Sequence, residues 1–84
     1  MAKHEETLAR VFASPTPSSL AWRDIESMLV SLGADRVEGA GSRVRFDLNG
    51  VSINVHRPHP RKEAKPYVVR NVRDFLLAAG VVDG

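Results

Sequence analysis

The run Gly41-Ser42-Arg43-Val44-Arg45-Phe46-Asp47-Leu48-Asn49-Gly50-Val51-Ser52-Ile53-Asn54-Val55-His56 constrains the fold more than any other stretch, because both its turn and its strand register are readable. Asn49-Gly50 between two alternating segments is the strongest short-range signal for a two-residue type I′ hairpin turn, whose central residues both need positive φ. Leu48 is thereby set opposite Val51. Each step outward keeps the paired numbers summing to a constant: Phe46 faces Ile53, Val44 faces Val55 and Arg43 faces His56. A side-chain period of two gathers Val44, Phe46, Leu48, Val51, Ile53 and Val55 on a core face. Arg43, Arg45, Asp47, Ser52, Asn54 and His56 are left on the other. Hydrogen-bonded and non-hydrogen-bonded pairs alternate outward from the turn, so Arg43:His56 is expected to be a close, non-hydrogen-bonded pair.

The flanking segments supply the cover for that core face. Lys3 to Ala13 reads as a short helix with Leu8, Val11 and Phe12 on one side. It is closed by Ser14-Pro15-Thr16-Pro17-Ser18-Ser19, where two prolines prevent a helix or a ladder from continuing. This divides the chain into an N-terminal helical extension (1–14), a Pro/Ser connector (15–20) and a main domain (21–84). The extension is expected to pack on the main domain or on a partner. A second helix, from about Ala21 to Leu32, places Ile25, Met28, Leu29 and Leu32 at helical spacing, with Trp22 one turn earlier and Gly33 as the stop. Ala34 to Gly39 is a short first strand. Pro66 suits the first turn of a final helix, whose apolar face is Val68, Val69, Val72, Phe75, Leu76 and Ala79 and which Gly80 ends. The expected class is α+β: a three-stranded antiparallel sheet with helices on one face and its polar face open.

At 84 residues the chain is one small domain, burying about 60–65% of its unfolded surface. It has no cysteine, so no disulfide framework or thiolate metal site adds stability, and a reducing cytoplasm is the expected location. The start, Met1-Ala2-Lys3-His4-Glu5-Glu6, lacks the order of a secretory signal. No apolar run approaches the ~20 residues that span a bilayer, so no membrane partner is expected.

Charge is unevenly spread. Residues 1–39 hold four Lys/Arg against six Asp/Glu, a balance of −2; residues 40–84 hold the other eight against four, a balance of +4. The densest segment is His56-Arg57-Pro58-His59-Pro60-Arg61-Lys62-Glu63-Ala64-Lys65, and Arg70 and Arg73 continue it. A charged cluster of this kind is commonly just a solvated surface. Beside the basic hairpin face it becomes a candidate phosphate-binding surface made of Arg43, Arg45, Arg57, Arg61, Lys62 and Lys65.

Several motifs have plainer readings. His56-x-x-His59 has no third ligand at a diagnostic spacing and sits in a proline-rich extended segment, so no metal is expected. Gly39-Ala40-Gly41 joins two strands and is a turn. Trp22 and Met28 belong to a core stripe, and His4 lies too near the terminus to matter. Asp47, Glu63 and Asp74 are isolated acids, which disfavours a metal-dependent nuclease. His56 and His59 remain as the groups in the basic region suited to proton transfer near neutrality, although a histidine in such a loop is often only structural. Imidazole, arginines and no cofactor fit metal-independent RNA cleavage. There a 2′-OH attacks its own phosphate, one group takes the proton, and cations stabilise the charge on phosphorus.

Over about residues 20 to 82 the chain resembles the HicA family, the toxin half of a bacterial toxin-antitoxin pair. The helix ending Leu32-Gly33 resembles the family's first helix. Gly41-Ser42-Arg43-Val44-Arg45-Phe46 is similar to its Gly-Ser-His-x-x-Phe/Tyr motif, and Pro58-His59-Pro60-Arg61-Lys62 to its proline-histidine-basic segment. Val69 through Arg73 to Ala79-Gly80-Val81 resembles its closing helix. The resemblance implies a double-stranded-RNA-binding-like fold, endoribonuclease cleavage of mRNA that arrests translation, and neutralisation by a HicB-type antitoxin. Arg43 stands where the family has its catalytic histidine. Two readings follow: a ribonuclease with its histidine relocated to His56 or His59, or a non-catalytic RNA-binding or antitoxin-binding relative.

Overall fold

The computed structural model describes residues 3–58 and 62–81. In chain order the elements are α1 (Lys3–Val11), α2 (Trp22–Ser31), β1 (Asp35–Glu38), β2 (Arg43–Leu48), β3 (Val51–His56) and α3 (Pro66–Ala79). The strands form one antiparallel sheet in the order β1-β2-β3. Its helices lie on one face, giving the expected α+β class.

The hairpin register is the one that turn chemistry dictates. Leu48 pairs with Val51, Phe46 with Ile53, Val44 with Val55 and Arg43 with His56. Asn49 and Gly50 have φ of 52° and 81°, as a type I′ turn requires. Asn49 does a second job: its Nδ2 donates to the Ala79 carbonyl at 2.8 Å, satisfying one of the carbonyls left unpaired at the end of α3. Gly80, at φ 74°, closes that helix in the left-handed conformation, with its N–H directed to Leu76 and Leu77.

Alternation along β2 sends Val44, Phe46 and Leu48 into the core, where they meet the apolar stripes of α2 and α3. Trp22 packs edge-on against Phe46, with ring centroids 6.4 Å apart, and both are almost completely buried. Truncating either ring to alanine removes about 3–5 kcal/mol in sites of this kind.

The N-terminal helix is part of the same core. Val11 is fully buried, and Leu8 and Phe12 pack against the cluster. Its end is held by α3: Arg73 donates to the carbonyls of Val11 (3.0 Å) and Ala13 (3.2 Å) and to Thr16 Oγ1 (3.3 Å), and its guanidinium lies 6.0 Å from the Phe12 ring centre. Arg73, which by sequence extends the basic cluster, therefore serves as a clamp on α1. The prolines end the helix at Val11, two residues before the sequence reading placed its end.

The chain after the hairpin is stitched to the start of α2. Ala64 N–H donates to Leu20 O at 2.8 Å, Trp22 N–H donates to Lys62 O at 3.1 Å, and Ala21 and Glu63 form an isolated bridge. This seats Lys65 and Pro66 at the first turn of α3.

Candidate active site

The open face of the sheet carries the polar alternation of the hairpin. Beyond the Arg43:His56 pair, Arg57 N–H donates to Ser42 O at 2.7 Å. Alternation then makes Arg43:His56, Arg45:Asn54 and Asp47:Ser52 non-hydrogen-bonded pairs, the kind that brings opposed side chains closest. All but the half-buried Asp47 are exposed. Arg45 Nε lies 3.1 Å from the Asp47 carboxylate, and Ser52 Oγ donates to it at 2.6 Å. The Ser52 hydroxyl, with Arg45 second, holds the Asp47 carboxyl below its ordinary value.

His56 stands at the end of β3 with its Nε2 2.9 Å from Ser42 Oγ. His56 is shared by the linings of two shallow depressions. One, of about 360 Å³, is lined by Arg43, Asn54, Val55 and His56; the other, of about 250 Å³, by His56, Pro58, Lys65, Tyr67 and Val68. His56 thus borders both a depression on the hairpin and one at the start of α3. Available there are a proton-transfer group, a hydroxyl that fixes the direction of its ring, and two cations.

Of the candidates read from sequence, Arg43, His56 and Lys65 line these depressions. Arg45 is one pair further along the same face. Lys62 is exposed and its carbonyl pairs with the start of α2, so its backbone belongs to the stitch to that helix. His59 and Arg61 lie outside the described residues.

Arg57 is in a different situation. Its guanidinium donates to Glu26 (3.1 Å) on α2 and to Glu38 (3.0 Å) on β1, and Arg36 lies 2.9 Å from the same Glu26. The Arg57 hydrogen bond is the leading reason that the Glu38 carboxyl lies below its ordinary value, and Glu38 in turn raises the Arg57 guanidinium. Arg57, read from sequence as a phosphate-contacting candidate, thus ties the end of the hairpin to α2 and β1 through its two carboxylate partners. The signal was in the register: Arg57 follows His56 by one residue, so period two turns it to the opposite face. Ser42, Asn54 and Tyr67 are the residues not singled out for a role. Ser42 and Asn54 adjoin the predicted pair, whereas nothing local points to Tyr67.

The structure defines a two-layer α+β domain whose sheet leaves Arg43, Arg45 and His56 exposed on its open face. The family model described as the HicA toxin of bacterial toxin-antitoxin matches residues 22–81, and the chain belongs to that family. It is a toxin component of a toxin-antitoxin system, for which family membership implies a HicB antitoxin. No curated protein and no solved structure matches it. The match begins at the first residue of α2, leaving α1 before it. Among the described residues no helix is long and apolar enough to cross a membrane.

Proposed function

We propose that this toxin is a metal-independent endoribonuclease that cleaves mRNA in the cytoplasm, with His56 as its proton-transfer group. The observation that carries the reading is the position of His56: exposed, directed by Ser42 and directly opposite Arg43. A 2′-OH placed at the imidazole loses its proton as its oxygen attacks the adjacent phosphorus. The 5′-oxygen of the next nucleotide leaves with a proton, and a 2′,3′-cyclic phosphate remains. Arg43, with Arg45 and Lys65 further along the strand path, offsets the charge that gathers on the phosphate. His59, Arg61 and Lys62 extend the same basic segment and stay candidates for the second proton transfer and for backbone contacts.

A HicB-type antitoxin neutralises the chain in this reading by covering the open face with acidic or apolar groups near Arg43, Arg45 and His56. Amide hydrogen exchange on the complex locates that cover. Protection confined to α1, with β2 and β3 unchanged, excludes direct occlusion.

One observation favours a second reading. Arg43 occupies the position of the family's catalytic histidine, and a relative that binds RNA or antitoxin without cleaving follows if His56 does not substitute for it. Purified chain incubated with mRNA separates the two. Cleavage to cyclic-phosphate ends that is lost in His56→Ala supports the enzyme; salt-sensitive binding without cleavage supports the non-catalytic relative.

A further inference from the structure

Tyr67 is the most exposed of the large apolar and aromatic side chains among the described residues, at 54%, yet it sits on the first turn of a helix whose other face is core. Its neighbours give it a use. Tyr67, Pro58 and Val68 supply flat and apolar surface to the depression of about 250 Å³ against which His56 stands, and Lys65 supplies the cation. The depression shares His56 with the one that Arg43 lines. We infer that it is a nucleotide subsite: one unpaired base of an RNA strand stacks on the Tyr67 ring while Lys65 contacts a phosphate beside it.

The inference rests on the RNA reading given above, and the occupant follows from three features of the depression. Among the described residues its lining carries one cation, Lys65, and no acidic side chain. It is lined in part by His56, the residue proposed to move the proton, so a strand bound at His56 borders it. It also pairs an exposed aromatic ring with a proline, and unpaired RNA bases stack on surfaces of that kind whatever their sequence. A base held there keeps the neighbouring phosphate from sliding along the face, which makes Tyr67 a positioning residue.

The test uses the full chain carrying His56→Ala, so that RNA stays intact, and measures the affinity of a short single-stranded RNA by anisotropy. Tyr67→Ala is expected to weaken binding by roughly five- to a hundred-fold, the range of stacking losses on alanine substitution. Tyr67→Phe, which keeps the ring, is expected to bind like the parent. Lys65→Ala is expected to weaken binding and to lower the slope of log affinity against log salt by about one. An unchanged affinity in Tyr67→Ala overturns the subsite, as does an equal loss in Tyr67→Phe. So does a Tyr67→Ala variant that binds RNA normally but loses the antitoxin, since the depression then serves a protein partner. Cleavage by the chain with His56 intact is followed separately. If His56→Ala alone still cleaves while Tyr67→Ala loses RNA binding, the catalytic reading fails and the subsite stands. A chain that binds no single-stranded RNA overturns both.

Discussion

Arg43 and His56 are opposed across β2 and β3 as a non-hydrogen-bonded pair. In such pairs the Cβ atoms lie about 4.5–5.5 Å apart, so an imidazole carried at either position reaches nearly the same point above the sheet. The proposed relocation of the catalytic histidine to His56 rests on this geometry.

The pair yields a rescue experiment. His56→Ala should lower RNA cleavage by roughly a hundred- to ten-thousand-fold, the usual span for a general acid or base. Adding Arg43→His to that variant should recover part of the loss, because it returns an imidazole across the same rung. Measured rates of cleavage, with folding checked by circular dichroism, decide it. A His56→Ala chain as active as the parent ends the relocation argument.

Ser42 acts through His56. Its hydroxyl is 2.9 Å from Nε2, at a half-buried position that costs little to alter. Ser42→Ala should leave stability within about 1 kcal/mol while lowering the rate of cleavage, since the ring loses the partner that orients it. Ser42→Thr keeps the hydroxyl and should restore the rate. A rate identical in all three chains, at equal RNA affinity, removes Ser42 from the mechanism.

Arg57 predicts a split between stability and binding. Its side chain is 25% exposed and its partner Glu26 is 13% exposed, so Arg57→Ala takes from a largely buried carboxylate one of its two guanidinium partners, leaving Arg36. The expected loss is about 1–3 kcal/mol of unfolding free energy. The salt dependence of RNA binding should not change, in contrast to Arg43→Ala. A lowered salt slope in Arg57→Ala would return this residue to the phosphate-contacting set.

Acid should destabilise the chain at Glu38 and at Asp47. Glu38 titrates below its ordinary value of 4.5 because Arg57 donates to it, and Asp47 below 3.8 chiefly because Ser52 does. In that range the unfolded chain binds more protons than the folded one. The stability contributed is complete above the ordinary values and is lost as pH falls through the lowered ones. Denaturant midpoints taken from pH 6 to pH 3 should fall less steeply in Glu38→Gln than in the parent. Parallel curves would mean that the Glu38–Arg57 contact adds nothing.

The N-terminal helix should prove integral. Arg73→Ala removes three hydrogen bonds that hold the end of α1 and the connector, and a loss of about 1–3 kcal/mol follows, with cleavage per folded molecule unchanged. Chemical denaturation measures the first and active-fraction-corrected kinetics the second. A chain cut before the connector that unfolds at the same denaturant concentration would make α1 an appendage after all.

What the sequence determined by itself is whatever depends on neighbours. Asn49-Gly50 set the turn, the turn set the register, and period two then sorted Arg43, Arg45 and His56 onto one face; Pro66 and Gly80 bounded the last helix for the same local reasons. Tertiary structure decided everything that requires distant segments to meet. Glu26 on α2 reaches Arg57 after the hairpin, Arg73 reaches back to Val11, and Lys62 and Ala64 pair with the approach to α2, which places Tyr67 beside His56. Composition marked the whole segment from His56 to Arg73 as basic. Whether a given cation faces solvent, a carboxylate or a helix end depends on which surfaces pack together, and no local pattern carries that information.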